Sequence, residues 1–169
     1  MNKKLGFSLL ALVLLASVVA LQASASPPNH ANRLEATFTE TNVSVTNRIA
    51  DLGIFQLINS GIGKLEGFGD ATMTLAMSQD RSVQPCGPGS WTNAGIRRIV
   101  VNDGVLILRS VADVCQTAAG PVAHETWSID GASSTGVFAG ARGEGEGTVD
   151  ITTRTSTLSG KLNLAGPID

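Results

Sequence analysis

This sequence predicts an all-β fold: a single closed antiparallel barrel of about eight strands, with a β-sandwich as the alternative. Three observations carry that expectation. Apolar and polar residues alternate with period two in several short runs, as at Ala71, Met73, Leu75 and Met77 against Thr72, Thr74 and Ser78, the pattern of half-buried antiparallel strands. The runs are separated by Gly, Asn and Asp turn signals, and helical spacing appears only once. From Ala141 to Thr152 small or apolar residues (Ala141, Gly143, Gly145, Gly147, Val149, Ile151) alternate strictly with polar ones. A strand so poor in Cβ atoms suits strong coiling or close approach by another group. Rolling the sheet until its ends meet would remove two exposed edges.

The first 25 residues read as a signal peptide. Lys3 and Lys4 precede an apolar run from Leu5 to Leu21, and Ala23-Ser24-Ala25 is a small-residue cleavage site. A secreted or periplasmic protein is expected. Cleavage after Ala25 leaves 144 of the 169 residues, the size of one domain. Residues 26–32, with Pro27, Pro28 and His30, read as a flexible leader, and 33–169 as the barrel domain. Taking Lys3 and Lys4 from the 12 basic residues leaves 10 against 14 acidic ones, a net charge of −4. With no basic face, phosphate neutralisation and hence nucleic-acid binding is not expected. No later apolar stretch is long enough for a membrane helix.

Arg33 to Asn47 begins the domain. Leu34, Ala36 and Phe38 share one phase and Val43 and Val45 the other, which predicts a β-bulge or break near Thr39 to Asn42. Arg48 to Ser60 is open between a helix (Ile49, Leu52, Phe55) and a strand at Gly53 to Ile58. Gly61, Gly63, Gly67 and Gly69 form a coiled entrance to the strand carrying Met73 and Met77, whose thioethers are flexible core filling. Gln79 to Asn93 reads as a loop in which Trp91 either plugs the core or forms part of a ligand mouth.

Ala94 to Val114 is a hairpin. Asn102-Asp103-Gly104 sits between two β-branched runs and tolerates the positive φ that such turns need. Val122 to Asp130 is a strand with Ala123, Glu125, Trp127 and Ile129 on one phase and His124 on the other. Turned inward, Glu125 is a carboxylate beside an apolar wall. The alternative is an edge position whose head reaches solvent or pairs with an arginine. After a turn at Thr153 to Thr157, Leu158, Gly160, Leu162 and Leu164 alternate with polar residues in a last strand.

Cys86 and Cys115 are the two cysteines. In an oxidising compartment they most simply form one disulfide, worth about 3–4 kcal/mol on the chain-entropy model; two free thiols are the rival. His30 and His124 show no ligand spacing with them, so no metal site is expected.

Ser134 to Gly143, S-T-G-V-F-A-G-A-R-G, resembles the G-G-T-G-x-F-x-x-A-x-G signature of dirigent proteins and the related allene oxide cyclase-like barrels. Bacterial secreted proteins of that superfamily are similar over more of the chain, through Gly67-Phe68-Gly69 and Asn102-Asp103-Gly104. The chain departs from the pattern at Ala132-Ser133-Ser134, where the family has paired glycines. The resemblance implies an eight-stranded antiparallel barrel with a hydrophobic interior, in a family that cyclises or couples small molecules or has no known activity.

Three functional readings follow. The first is a secreted barrel binding a small hydrophobic molecule without catalysis, lined by Met73, Met77, Trp91, Trp127, Gly143 and Gly145. The glycines would leave interior volume. The second is a cyclase or isomerase acting on a small apolar substrate, with Glu125 as acid or base. No nucleophile–base spacing, phosphate loop or dinucleotide fingerprint accompanies it, and no cofactor is expected. The third is a structural or surface-interaction module acting through Arg142, Glu144, Glu146 and Asp150. Nothing in the sequence indicates an oligomer.

Overall fold

The computed structural model describes residues 32–166. The expected signal peptide, His30 and most of the expected leader lie outside the described residues. Nine strands follow in order: β1 (Arg33–Ile49), β2 (Ile54–Leu65), β3 (Gly69–Asp80), β4 (Trp91–Val101), β5 (Gly104–Thr117), β6 (Gly120–Ile129), β7 (Thr135–Gly136), β8 (Glu144–Asp150) and β9 (Thr155–Lys161). Each of the eight long strands pairs antiparallel with its neighbour in the order β1-β2-β3-β4-β5-β6-β8-β9. Pairing of β9 with β1, from Arg33 opposite Lys161 to Thr39 opposite Thr155, closes the ring. The fold is the closed barrel, not the sandwich. Short β7 lies outside the ring, on the end of β5.

Several boundaries differ from the sequence reading, each for a local reason. Arg48 to Ser60 is strand rather than helix, apart from one 3₁₀ turn at Ala50–Leu52 that ends on Gly53 at φ 67°. Ladder bonds to β1 and β3 outweigh an ambiguous local preference. The phase change in β1 is a register shift between Glu40 and Asn42, with a second between Val45 and Asn47. The loop after β3 ends at Ser90, because Trp91 to Asn93 pair with Val114 to Ala112. The turn before β9 spans 151–154, with Arg154 at φ 57°.

The largest difference lies at the glycine strand, which covers only Glu144–Asp150. Upstream, 131–141 folds into turns that seat Phe138 and Ala141 in the core. Asp130 anchors this segment through bonds from the Ser133 and Ser134 amides, and the Ser134 hydroxyl accepts from the Ile107 amide at 3.0 Å. Phe138 meets Phe68 with ring centroids 4.8 Å apart and closes one end of the barrel. Gly145 and Gly160 stand opposite each other, and a Cβ on either would run into the Trp127 indole. The space the glycines free is occupied by that ring.

The predicted disulfide is present. Cys86 and Cys115 join with Cα atoms 5.5 Å apart, tying the β3–β4 loop to the end of β5. That bond is compatible with an oxidising extracellular or periplasmic setting.

Candidate functional site

Following the inward-facing side chains along five of the strands reveals one transition. On β1 the order is Phe38 in the core, then Glu40, then Val43. On β2 it is Leu65 in the core, two glycines, then Asn59 and Leu57. On β4 it is Ile99, Arg97, Gly95; on β6 Trp127, Glu125, Ala123; on β9 Leu158 and Ser156, with Arg154 in the turn before it. One half of the barrel is solid hydrophobic core. The next layer is polar and buried. Beyond it the lumen is hollow, a cavity of about 350 Å³.

The polar layer is organised by Arg97. Its side chain is fully buried, the largest such group among the described residues. From β4 the guanidinium donates to Glu125 Oε2 at 2.5 Å and to Ser156 Oγ at 3.0 Å. Since β4 and β9 are four strands apart in a ring of eight, this arginine spans the lumen. The ion pair is sealed, with the Arg97 and Glu125 side chains 0% and 3% exposed. Beside it, Asn59 Nδ2 donates to both oxygens of Glu40, at 3.3 and 3.2 Å. Burial pushes the Glu40 carboxyl above its ordinary value, against the opposing pulls of the Asn59 hydrogen bond and of the Arg97 and Arg154 charges.

Apolar side chains form the cavity walls: Leu57, Leu75, Met77, Ala112, Ala123 and Val149. Trp91 packs beside the last three and is half-buried at the rim. The Arg81 guanidinium lies over both the Trp91 ring, at 5.1 Å, and the Phe55 ring, at 5.0 Å. It bridges the two rings, and its Nε donates to Gln79 Oε1 at 3.3 Å. Pre-formed concavity with apolar walls and a few converging polar groups is the usual form of a small-molecule site.

The residues named from the sequence separate into two groups. Met77, Trp91 and Glu125 line the cavity. Met73 and Trp127 lie in the packed half, Trp127 donating from its indole nitrogen to the Glu146 carbonyl at 2.9 Å. Gly143 faces the Lys161 backbone and Ile129, and Gly145 faces the Trp127 ring, so neither opens onto the cavity. Glu125 faces inward and pairs with an arginine, but it does so inside the lumen and on a strand flanked by β5 and β8, not at an edge. His124 points outward and is exposed.

Arg97, Glu40, Asn59 and Ser156 were not singled out by sequence. Phase would have found two of them. Arg97 shares its phase with Ile99 and Val101, and Glu40 continues the run of Leu34, Ala36 and Phe38. Each is a charge on an apolar face, as Glu125 is. Among the described residues, no three His, Cys, Asp or Glu side chains gather as metal ligands. No protein-family model matches the chain, and no curated protein matches its sequence.

Proposed function

We propose that this protein is a secreted barrel of the allene oxide cyclase-like and dirigent-like type that binds a small, largely apolar molecule without transforming it. The observation that carries the reading is the hollow half of the lumen. Its 350 Å³ lies at the lower end of the range of small-molecule sites. Its walls are apolar, its floor is a built polar layer and its rim holds Trp91. A ligand there would shed most of its apolar surface from water, at about 25 cal/mol per Å².

The test is titration of the oxidised protein with the neutral dye N-phenyl-1-naphthylamine, whose emission rises in apolar sites. Saturable binding with quenching of Trp91 is expected. Ala112→Phe, which puts a ring into the cavity, should abolish binding while the thermal midpoint stays within a few degrees. Equal binding by that variant would refute the assignment.

Catalysis by cyclisation or isomerisation is the second reading, favoured by the raised Glu40 carboxyl next to Glu125 at the cavity floor. Substitution of either by Gln without loss of any turnover found would remove it.

A further inference from the structure

Two oxygen atoms at the cavity floor have no partner. Glu125 Oε2 is held by Arg97, but Oε1 receives no hydrogen bond. Asn59 gives its amide nitrogen to Glu40, which fixes its Oδ1 on the other side, also without a donor. Both residues line the cavity and are more than nine-tenths buried, at 4% and 5% exposed. Nearer the rim, Asn93 Oδ1 is a third such acceptor. Buried acceptors left unpaired carry the full cost of their desolvation, so native interiors supply donors for them.

Resting on the reading of the cavity as a small-molecule site, we propose that its ligand carries a hydrogen-bond donor head, a hydroxyl or amine, and enters head first. The O–H or N–H donates to Glu125 Oε1 and Asn59 Oδ1, and the apolar body lies against Met77, Ala112 and Trp91. A carboxylate head fits poorly. It brings no donor, and it meets two carboxyl groups, Glu40 and Glu125; the one unpartnered donor of the polar layer, Arg97 Nε, belongs to a residue that does not line the cavity. The reverse orientation would place an acid at Arg81 and Arg154 on the rim. Both are exposed, where an ion pair gains little, and the floor acceptors would stay unpaired. At the rim the Trp91 indole N–H is a buried donor without a partner, and it suits an acceptor on the ligand's outer end.

The experiment displaces bound N-phenyl-1-naphthylamine from the oxidised protein expressed from the full chain. The competitors share one skeleton: 2-naphthylmethanol, 2-naphthylmethylamine, 2-(methoxymethyl)naphthalene and 2-naphthoate. The alcohol or the amine should compete at least about tenfold better than the ether, and the carboxylate should be weakest. The order of alcohol and amine tells a neutral head from a cationic one. The advantage should shrink several-fold in Glu125→Gln, and Asn59→Leu reads the same effect if that variant fails to fold. Dye binding with equal competition by the ether, or with the carboxylate strongest, overturns the donor-head assignment and leaves the cavity reading standing. An advantage unchanged in both variants also overturns it. Failure of the dye itself to bind refutes the cavity reading, and this assignment with it.

Discussion

Arg97→Met tests the polar layer most directly. The substitution keeps a long, flexible side chain but removes the charge facing Glu125 and the donor to Ser156. Glu125 would remain in the lumen, its side chain 3% exposed, with no cation in contact. Taking one member from a buried ion pair costs about 3–5 kcal/mol, because the other charge stays desolvated. Against a total stability of about 5–15 kcal/mol that is a large fraction. Urea unfolding at pH 7, with the disulfide intact, reads it. For a slope near 2 kcal/mol/M the midpoint should fall by roughly 2 M. The double variant Arg97→Met with Glu125→Leu removes both charges and should recover most of the loss, since replacing a buried pair by apolar groups is often neutral or stabilising. A single variant costing under about 1 kcal/mol, or strictly additive losses in the double, would refute the claim that the two charges hold one another in the lumen.

Three other outcomes are expected. Because burial raises the Glu40 carboxyl, its stabilising protonation is complete below its ordinary value of 4.5 and is lost as pH rises through the raised value; Glu40→Gln should flatten the stability–pH slope above 4.5, and an unaltered slope would count against the assignment. Gly145→Val drives a branched side chain into the Trp127 ring and the Ser159 carbonyl, so a loss of about 3 kcal/mol or more is expected on thermal unfolding, whereas a midpoint within a degree of wild type would show the packing to be loose. Reducing Cys86–Cys115, 29 residues apart, should cost about 3–4 kcal/mol. It should also weaken dye binding, because the loop it anchors precedes Trp91; calorimetry with and without reductant checks both.

The barrel and its disulfide could be anticipated because both follow from local rules. Period-two alternation assigns each strand two faces, and the turn expected at Asn102-Asp103 is there, although neither it nor Gly104 takes the positive φ the sequence suggested. Two cysteines in an oxidising compartment leave one pairing. For Glu125, phase left two readings open, an inward carboxylate beside an apolar wall and an edge position reaching solvent or an arginine; only the structure turns it inward, onto Arg97. Where alternation stops, anticipation stopped too. The glycine strand begins at Glu144, not at Ala141, and the residues before it are held in turns by Asp130 and seat Phe138 in the core.

What the chain alone determined is the strand pattern, the small face of β8 and the placement of one charge on an apolar phase. Tertiary structure decided what those features are for. Gly145 and Gly160 meet only when β8 and β9 pair, and whether the room they leave is a cavity or a seat for Trp127 depends on β6 lying beside them. Arg97 lies 28 residues from Glu125 and 59 from Ser156. No local pattern links such distant positions; closure of the ring brings them within hydrogen-bonding reach, because the energy of a buried charge depends on which neighbours remain when water has left.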